Sequence, residues 1–191
     1  MEKLNKFTEF ETKYEVDISL KEQFIAVMEL TDYTGEVFFS GPDHYYINDD
    51  GNFLRYRKGE LDGNRAEVTM KKKTTHGNNI IRQEVNWRVD STPLETIAEG
   101  FGMLGYSFDF KIHKKGLIYL YKDANVVFYT VKSDNHKDRS FIEIELDEIT
   151  IHNLTEEQAM ERIRKYETIL APLGITYRNR LNKSLFEVYR N

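Results

Sequence analysis

The chain has 191 residues, 40% of them hydrophobic, enough for one domain with a sizeable core and cramped for two. Its 27 basic and 32 acidic residues leave a formal net charge of −5, so no global basic field gathers nucleic acid and any basic site must be local. The absence of cysteine removes disulfides, thiolate catalysis and Cys-ligated zinc, and no apolar run approaches the roughly 20 residues of a membrane span.

The opening MEKLNKFTEF has no apolar stretch of signal-peptide length, so a soluble cytoplasmic protein is the expectation. No low-complexity linker or fixed-period repeat divides the chain, and residues 1–191 are expected to form a single domain. The oligomeric state stays open, a homodimer included.

The first patterned segment is EFETKYEVD. Glu9, Glu11, Lys13, Glu15 and Asp17 alternate with Phe10, Thr12, Tyr14 and Val16, which on a strand puts the charged groups on one face and mostly apolar side chains opposite. Ser19 with Glu22 then reads as a capping box opening a helix that carries Phe24, Ile25, Val27 and Met28. Strands are expected at about 36–40, 44–48, 53–58 and 66–73, with hairpin turns at Asp49-Asp50-Gly51-Asn52 and Leu61-Asp62-Gly63-Asn64. Arg55 and Arg57 share one face of the third of these. Glu67, Thr69, Lys71 and Lys73 share one face of the fourth.

A strand at about 80–89 puts Arg82, Glu84, Asn86 and Arg88 opposite Ile81, Val85 and Trp87. Thr92, Pro93 and Glu95 start a second helix, which Gly100 and Gly102 are expected to end. Further strands follow at about 108–114, 117–122, 125–131 and 140–148, the last with Glu143, Glu145 and Asp147 opposite Ile142, Ile144 and Leu146. Thr155 with Gln158 opens a third helix, stopped by Pro172 and Gly174.

Short turns between many alternating strands indicate an antiparallel sheet that closes as a barrel or stacks as a sandwich. One reading of the charged faces is ordinary solvation of the outer side of a sheet. Against it stands their sorting: two strands are rich in carboxylates and others offer mostly guanidinium and ammonium groups, where a merely soluble face would mix signs. Turned inward, each such charge costs several kcal/mol unless it is paired or coordinated. A polyphosphate with divalent metal satisfies both clusters, because Mg²⁺ or Mn²⁺ takes carboxylate oxygens while Arg and Lys take phosphate oxygens. The five histidines show no metal-ligand spacing, and Gly100, Gly102 and Gly105 form no Walker loop.

These residues also carry a resemblance. Glu9-Phe10-Glu11-Thr12-Lys13 fits ExExK, and Asp43-His44-Tyr45-Tyr46, Leu54-Arg55-Tyr56-Arg57, Val68-Thr69-Met70-Lys71, Arg82-Gln83-Glu84 and Phe141-Ile142-Glu143-Ile144-Glu145 follow in order. Lys183-Ser184-Leu185-Phe186-Glu187-Val188 closes the series. The chain thus resembles the CYTH superfamily, the triphosphate tunnel metalloenzymes, over nearly its whole length.

The resemblance implies an α+β fold, mainly antiparallel β, in which an eight-stranded closed barrel with a few flanking helices binds a small-molecule triphosphate. It implies Mg²⁺ or Mn²⁺ on Glu9, Glu11, Glu143 and Glu145. Phosphate would be bound by Arg55, Arg57, Lys71, Lys73, Arg82, Lys114 and Lys183, and Lys13, Glu11 and Glu143 would stand at the reacting phosphoryl group. Hydrolysis of the triphosphate is the implied reaction, with an adenylate cyclase of the class IV type and a non-catalytic binding module as alternatives. Two positions depart from the family pattern: Gly116 follows Lys114-Lys115 where K-x-R is usual, and Tyr129 stands where a metal-binding Asp is usual. Lys111, His113 or Lys115 are candidates for the missing cation, and Asp134, Asp138 or Glu84 for the missing carboxylate. The polar stretch KSDNHKDRS before the last acidic strand reads as a hairpin loop or as a lid over one tunnel mouth.

Overall fold

The alternation seen in the sequence builds a closed wall. The computed structural model describes residues 8–61, 65–71, 81–152 and 154–190. Eight strands, β1 (Thr8–Val16), β2 (Gly35–Ile47), β3 (Phe53–Lys58), β4 (Ala66–Lys71), β5 (Ile81–Arg88), β6 (Ser107–Leu120), β7 (Ala124–Lys132) and β8 (Arg139–Leu146), are hydrogen-bonded in the order β1-β5-β4-β3-β2-β6-β7-β8. Every pairing is antiparallel, and the ring closes on β1, which pairs with β8 from Glu11 to Val16 and with β5 from Thr8 to Phe10.

Two strands are longer than the sequence pattern indicates. The expected strands 36–40 and 44–48 are one strand, β2, running through Gly41 and Pro42; 108–114 and 117–122 are likewise one strand, β6, running through Gly116. Proline is tolerated because Pro42 pairs only with His113 of β6, while the β2–β3 ladder begins one residue later at Asp43, so no ladder bond to β3 is lost there. Gly41 and Gly116 both sit where backbone comes close: a Cβ at Gly41 would lie 2.2 Å from the Lys58 carbonyl oxygen, and one at Gly116 would lie 2.4 Å from that of Phe128. The Asp49-Asp50-Gly51-Asn52 turn joins β2 to β3 with Gly51 at φ 79°, and residues 62–64 of the next expected turn lie outside the described residues.

The main apolar core lies outside the barrel wall. Phe10, Tyr14, Phe128, Ile142 and Ile144 point outward into it and meet Phe24 and Met28 of α1 (Lys21–Glu29) and Ile163, Tyr166 and Leu170 of α4 (Glu156–Leu170). A second cluster packs α2 (Leu94–Met103) through Phe101 against Tyr46, Leu54, Tyr56 and Val68. A short helix, α3 (Glu148–Ile151), leads into α4. With apolar side chains turned out to the helices, strand geometry forces the charged alternates inward.

The helix starts follow the expected chemistry unevenly. Thr155 and Gln158 form the expected capping box of α4. Ser19 and Glu22 do not: Asp17 accepts from the Ser19 N–H and caps a 3-10 turn ahead of α1. At α2 the N-cap is Pro93, with no side-chain cap bond, and Gly100 and Gly102 lie within the helix, which ends at Leu104 and the left-handed Gly105. Gly174, also left-handed, ends the segment after α4 as expected.

After α4 the chain returns to the barrel. The Leu181 N–H donates to the Lys13 carbonyl at 2.7 Å, and Arg180 holds the buried Glu167 with two hydrogen bonds, at 2.6 and 2.8 Å, while Tyr14 donates to the same carboxylate at 2.5 Å. Ser184 and Glu187 then form a capping box for α5 (Leu185–Tyr189), a helix in addition to the three expected from the sequence. Phe186 stacks on Phe53 at 4.4 Å and packs on Tyr45 and Phe110, so α5 covers one end of the barrel. The loop between β7 and β8 lies beside it, with the His136 ring 5.5 Å from that of Tyr189. No described helix is long and apolar enough to cross a membrane.

Candidate functional site

The inward face of β1 presents Glu9, Glu11 and Lys13, and adjoining strands add side chains of the same parity. Register brings Glu11 opposite Glu145 and Lys13 opposite Glu143 on β8. On the other side of the barrel it brings Asp43 opposite Arg57, Tyr45 opposite Arg55, Thr69 opposite Asn86 and Lys71 opposite Glu84. Together they enclose a cavity of about 250 Å³ bounded at the covered end by Ser184, Leu185 and Phe186.

Opposite charges meet inside it in two clusters and one clamp. Lys13 bridges Glu11 at 2.7 Å and Glu143 at 2.6 Å; Lys71 bridges Glu9 at 2.6 Å and Glu84 at 2.5 Å. Arg57 grips the wholly buried Asp43 with two hydrogen bonds, Nε to Oδ1 at 2.6 Å and Nη2 to Oδ2 at 2.7 Å, the bidentate match that a planar guanidinium allows. Beside it Arg55 donates to Thr69 at 2.7 Å, while its buried Nε has no hydrogen-bond partner among the described residues. A buried donor left in that condition is costly.

Burial and charge act differently on neighbouring groups. Burial, together with Glu9, Glu11 and Glu84, pushes the Glu145 carboxyl up to about 8, whereas Lys71 and Arg55 overcome burial at Glu84 and bring it down to about 2. Lys13 and Lys114 likewise overcome burial at Glu143 and hold its carboxyl below the ordinary value. Burial brings the Lys114 ammonium down to about 8, aided by Arg57 and Arg55, and the Arg57 guanidinium keeps Asp43 ionised despite its burial. A raised Glu145 beside three other carboxylates marks a local excess of negative charge. The donors are all oxygens, the chemistry that suits a hard divalent cation. Among the described residues, no three carboxylate or imidazole side chains already converge as a metal cage. Lys13 and Lys71 occupy carboxylate oxygens that a cation would take.

Of the residues singled out in the sequence, Lys13, Glu9, Glu11, Glu143 and Glu145 line the cavity, as do Arg55, Arg57, Lys71 and Lys114. Lys183 does not: it is exposed and outside the lining, and its neighbour Ser184 faces the cavity instead, because the cap of α5 turns Ser184 inward. Arg82 pairs with Glu9 across the β1–β5 seam, and Lys73 lies outside the described residues. None of Lys111, His113 and Lys115 lines the cavity, and Glu84, not Asp134 or Asp138, supplies an additional carboxylate. The role of Asp43 is absent from the sequence reading, although its parity with Tyr45 was a usable signal.

The two departures from the family pattern lie side by side. Tyr129 donates to Glu143 at 2.5 Å, and the Lys114 ammonium sits 3.9 Å from the centre of its ring. Opposite Tyr129, a Cβ on Gly116 would lie 2.9 Å from Cε1 of Phe39 and 2.6 Å from the Tyr129 Cβ. The place an arginine side chain would need is filled by the aromatic rings.

By sequence, no family model and no curated protein matches this chain. By structure it is similar to a conserved hypothetical protein from Pyrococcus furiosus, with TM-score 0.73 at 20% identity, over 94% of this chain and 98% of that one. It is also similar to a candidate adenylate cyclase from Vibrio parahaemolyticus, with TM-score 0.69 at 14% identity over 97% and 98% of the two chains. The Mimivirus capping enzyme triphosphatase matches with TM-score 0.57 at 13% identity over 87% and 90%. The chain shares with these structures the fold of an eight-stranded antiparallel closed barrel. At these identities the likeness extends to the tunnel architecture and not to a reaction.

Proposed function

We propose that the protein hydrolyses a triphosphate in this tunnel with the help of Mg²⁺ or Mn²⁺. The observation that carries the reading is the meeting of two sign clusters in one cavity, four glutamates on β1 and β8 against Arg55, Arg57, Lys71 and Lys114. A bound triphosphate with its cation neutralises both clusters at once, which an apolar or singly charged ligand does not. The structural likeness to a triphosphatase and to a candidate cyclase agrees with triphosphate chemistry in general.

In this reading Arg55, through an Nε without a hydrogen-bond partner among the described residues, and Arg57, held in place by Asp43, bind phosphate oxygens and offset charge that develops during transfer. Lys114, resting on the Tyr129 ring, adds an ammonium to the same wall. Glu9, Glu11, Glu143 and Glu145 would hold the cation, aided by Glu84, once Lys13 and Lys71 turn from carboxylates to phosphate. When bound, the cation supplies Lewis acidity at phosphoryl oxygen and lowers the pKa of water. Lys13, between Glu11 and Glu143, places its amine at the centre of the site.

A second reading, a binding module without turnover, is favoured by one observation: Tyr129 occupies Glu143 with a short hydrogen bond. Incubation with Mg²⁺ or Mn²⁺ and ATP, tripolyphosphate or thiamine triphosphate, followed by chromatography of the products, distinguishes the readings. Orthophosphate release supports the hydrolase. Cyclic AMP with pyrophosphate identifies a cyclase, and tight binding without product identifies the module.

A further inference from the structure

Three lysines are buried among the described residues, Lys13, Lys71 and Lys114, and all three line the cavity. Two of them are pinned, Lys13 between Glu11 and Glu143 and Lys71 between Glu9 and Glu84. Lys114 is held differently. Among the described residues no ion pair or hydrogen bond engages its ammonium, which rests on the face of the Tyr129 ring, 3.9 Å from the centre. A ring face attracts a cation less than a carboxylate in contact with it does.

The register of β6 explains this isolation. Lys114 stands opposite Gly41 of β2 and Val131 of β7, neither of which offers a side-chain acceptor. The nearby carboxylates are already engaged: Asp43 gives both oxygens to Arg57, and Glu143 takes Lys13 and Tyr129. Burial, with Arg57 and Arg55 on the same wall, brings the ammonium down to about 8 against the opposing pull of Glu143 and Asp43. At neutral pH roughly a tenth of the amine is therefore uncharged, where an ordinary lysine has under about a thousandth. An amine out of bulk water beside other cations is the condition that makes lysine a nucleophile. It is also reachable, because two cavities, of about 250 and 340 Å³, meet at Lys114.

Resting on the reading of Arg55 and Arg57 as phosphate ligands, we propose that Lys114 is a covalent modification site, acylated by a small acyl phosphate whose phosphate binds those arginines, and that acylation weakens the site for triphosphate. The amine nitrogen bonds to the acyl carbon and the C–O bond of the mixed anhydride breaks. The electron pair of that bond leaves with the phosphate, whose charge the arginines offset, and one N–H proton passes to the departing phosphate directly or through water. The products are an amide on Lys114 and orthophosphate, with nothing oxidised or reduced. The amide is uncharged, so the wall formed by Arg55, Arg57, Lys71 and Lys114 loses one cation.

The test incubates the wild-type protein with acetyl phosphate and Mg²⁺, with and without excess tripolyphosphate, from pH 6 to 9, and reads initial rates of acetylation at each lysine by mass spectrometry of tryptic peptides. Lys114 is expected to react about ten-fold faster than Lys111 and Lys115, which are exposed on the same strand, with a rate that levels off above about pH 8. Tripolyphosphate should slow Lys114 about ten-fold and leave the other two unchanged. Acetylated protein and Lys114→Gln should each bind tripolyphosphate about ten-fold more weakly by calorimetry, the size of one lost charge-assisted contact. A Lys114 rate no greater than that of Lys111 and Lys115, a rate that bound tripolyphosphate does not slow, or undiminished affinity after acetylation overturns the inference and leaves the triphosphate reading standing. Failure of wild type to bind tripolyphosphate overturns that reading, and the inference with it.

Discussion

Tyr129 donates its phenol hydrogen to Glu143 across 2.5 Å, so one of the four central carboxylates is satisfied by a neutral donor as well as by lysine. Burial and the adjoining Glu143 charge push the phenol well above its usual range, which keeps that proton on oxygen at any working pH. Tyr129→Phe removes the donor and keeps the ring on which Lys114 rests. The expected cost is about 1–3 kcal/mol of stability, the range for leaving a buried acceptor short of one partner, read as a lower urea midpoint without metal. An unchanged midpoint means that the hydrogen bond contributes nothing net.

Glu11 and Glu143 share Lys13, and replacing either by glutamine removes a charge but hardly any volume. Metal-dependent turnover is expected to disappear in Glu11→Gln and in Glu143→Gln, with far-UV circular dichroism as in wild type. Turnover that survives in both would remove these glutamates from the reaction.

The pH dependence of stability has a sign fixed by Glu145. Its carboxyl is raised from 4.5 to about 8, so between those values the unfolded chain ionises while the native state keeps its proton, and stability falls as pH rises. Glu84, lowered to about 2, acts at the other end: its contribution is present above about 4.5 and is lost as pH falls towards 2. Lys114, brought down to about 8, works against Glu145 only above that pH. In EDTA, wild-type Tm should decline from pH 5 to 8, and Glu145→Gln should abolish that decline while keeping the acid limb. Saturating Mg²⁺ should flatten the same decline in wild type. An identical decline in Glu145→Gln would show that some other group titrates there.

How much of this was legible beforehand depends on the range of the interactions. Period-two alternation is local, and once Phe10 and Tyr14 are apolar and Glu9, Glu11 and Lys13 charged, only the choice of which face turns inward remains. That choice is decided by α1 and α4 packing on the outer face, through contacts such as Phe24 with Phe128, whose partners lie far apart in the chain. The same distance hid the role of Asp43, which has meaning only because β3 places Arg57 opposite it. Lys183 entered the expected phosphate set only through the resemblance of residues 183–188 to the family's closing segment, and it lies outside the cavity lining because Ser184 and Glu187 start α5 and turn Ser184 inward. The glycines misled: Gly41 and Gly116 look like strand ends but mark close backbone approach within long strands.

The Asp43–Arg57 clamp gives a prediction in which stability and binding separate. Asp43 is wholly buried and Arg57 about a third exposed, so Arg57→Ala strands a carboxylate without water or partner. The expected cost lies near the lower end of the range for breaking a buried pair, about 3 kcal/mol, because water reaching the partly exposed Arg57 already screens the pair that is lost. Arg57→Ala/Asp43→Ala should be less destabilised than the sum of the two single changes, since the second removes the charge that the first leaves unpaired. Arg57→Lys keeps the charge but loses the fork, and is expected to bind tripolyphosphate about ten-fold more weakly while remaining more stable than Arg57→Ala. Urea denaturation of wild type, the two single alanine variants, the double variant and Arg57→Lys, with calorimetry on tripolyphosphate, supplies both readings. Full additivity would mean that the clamp holds no coupling energy, and that Arg57 is oriented by the strand alone.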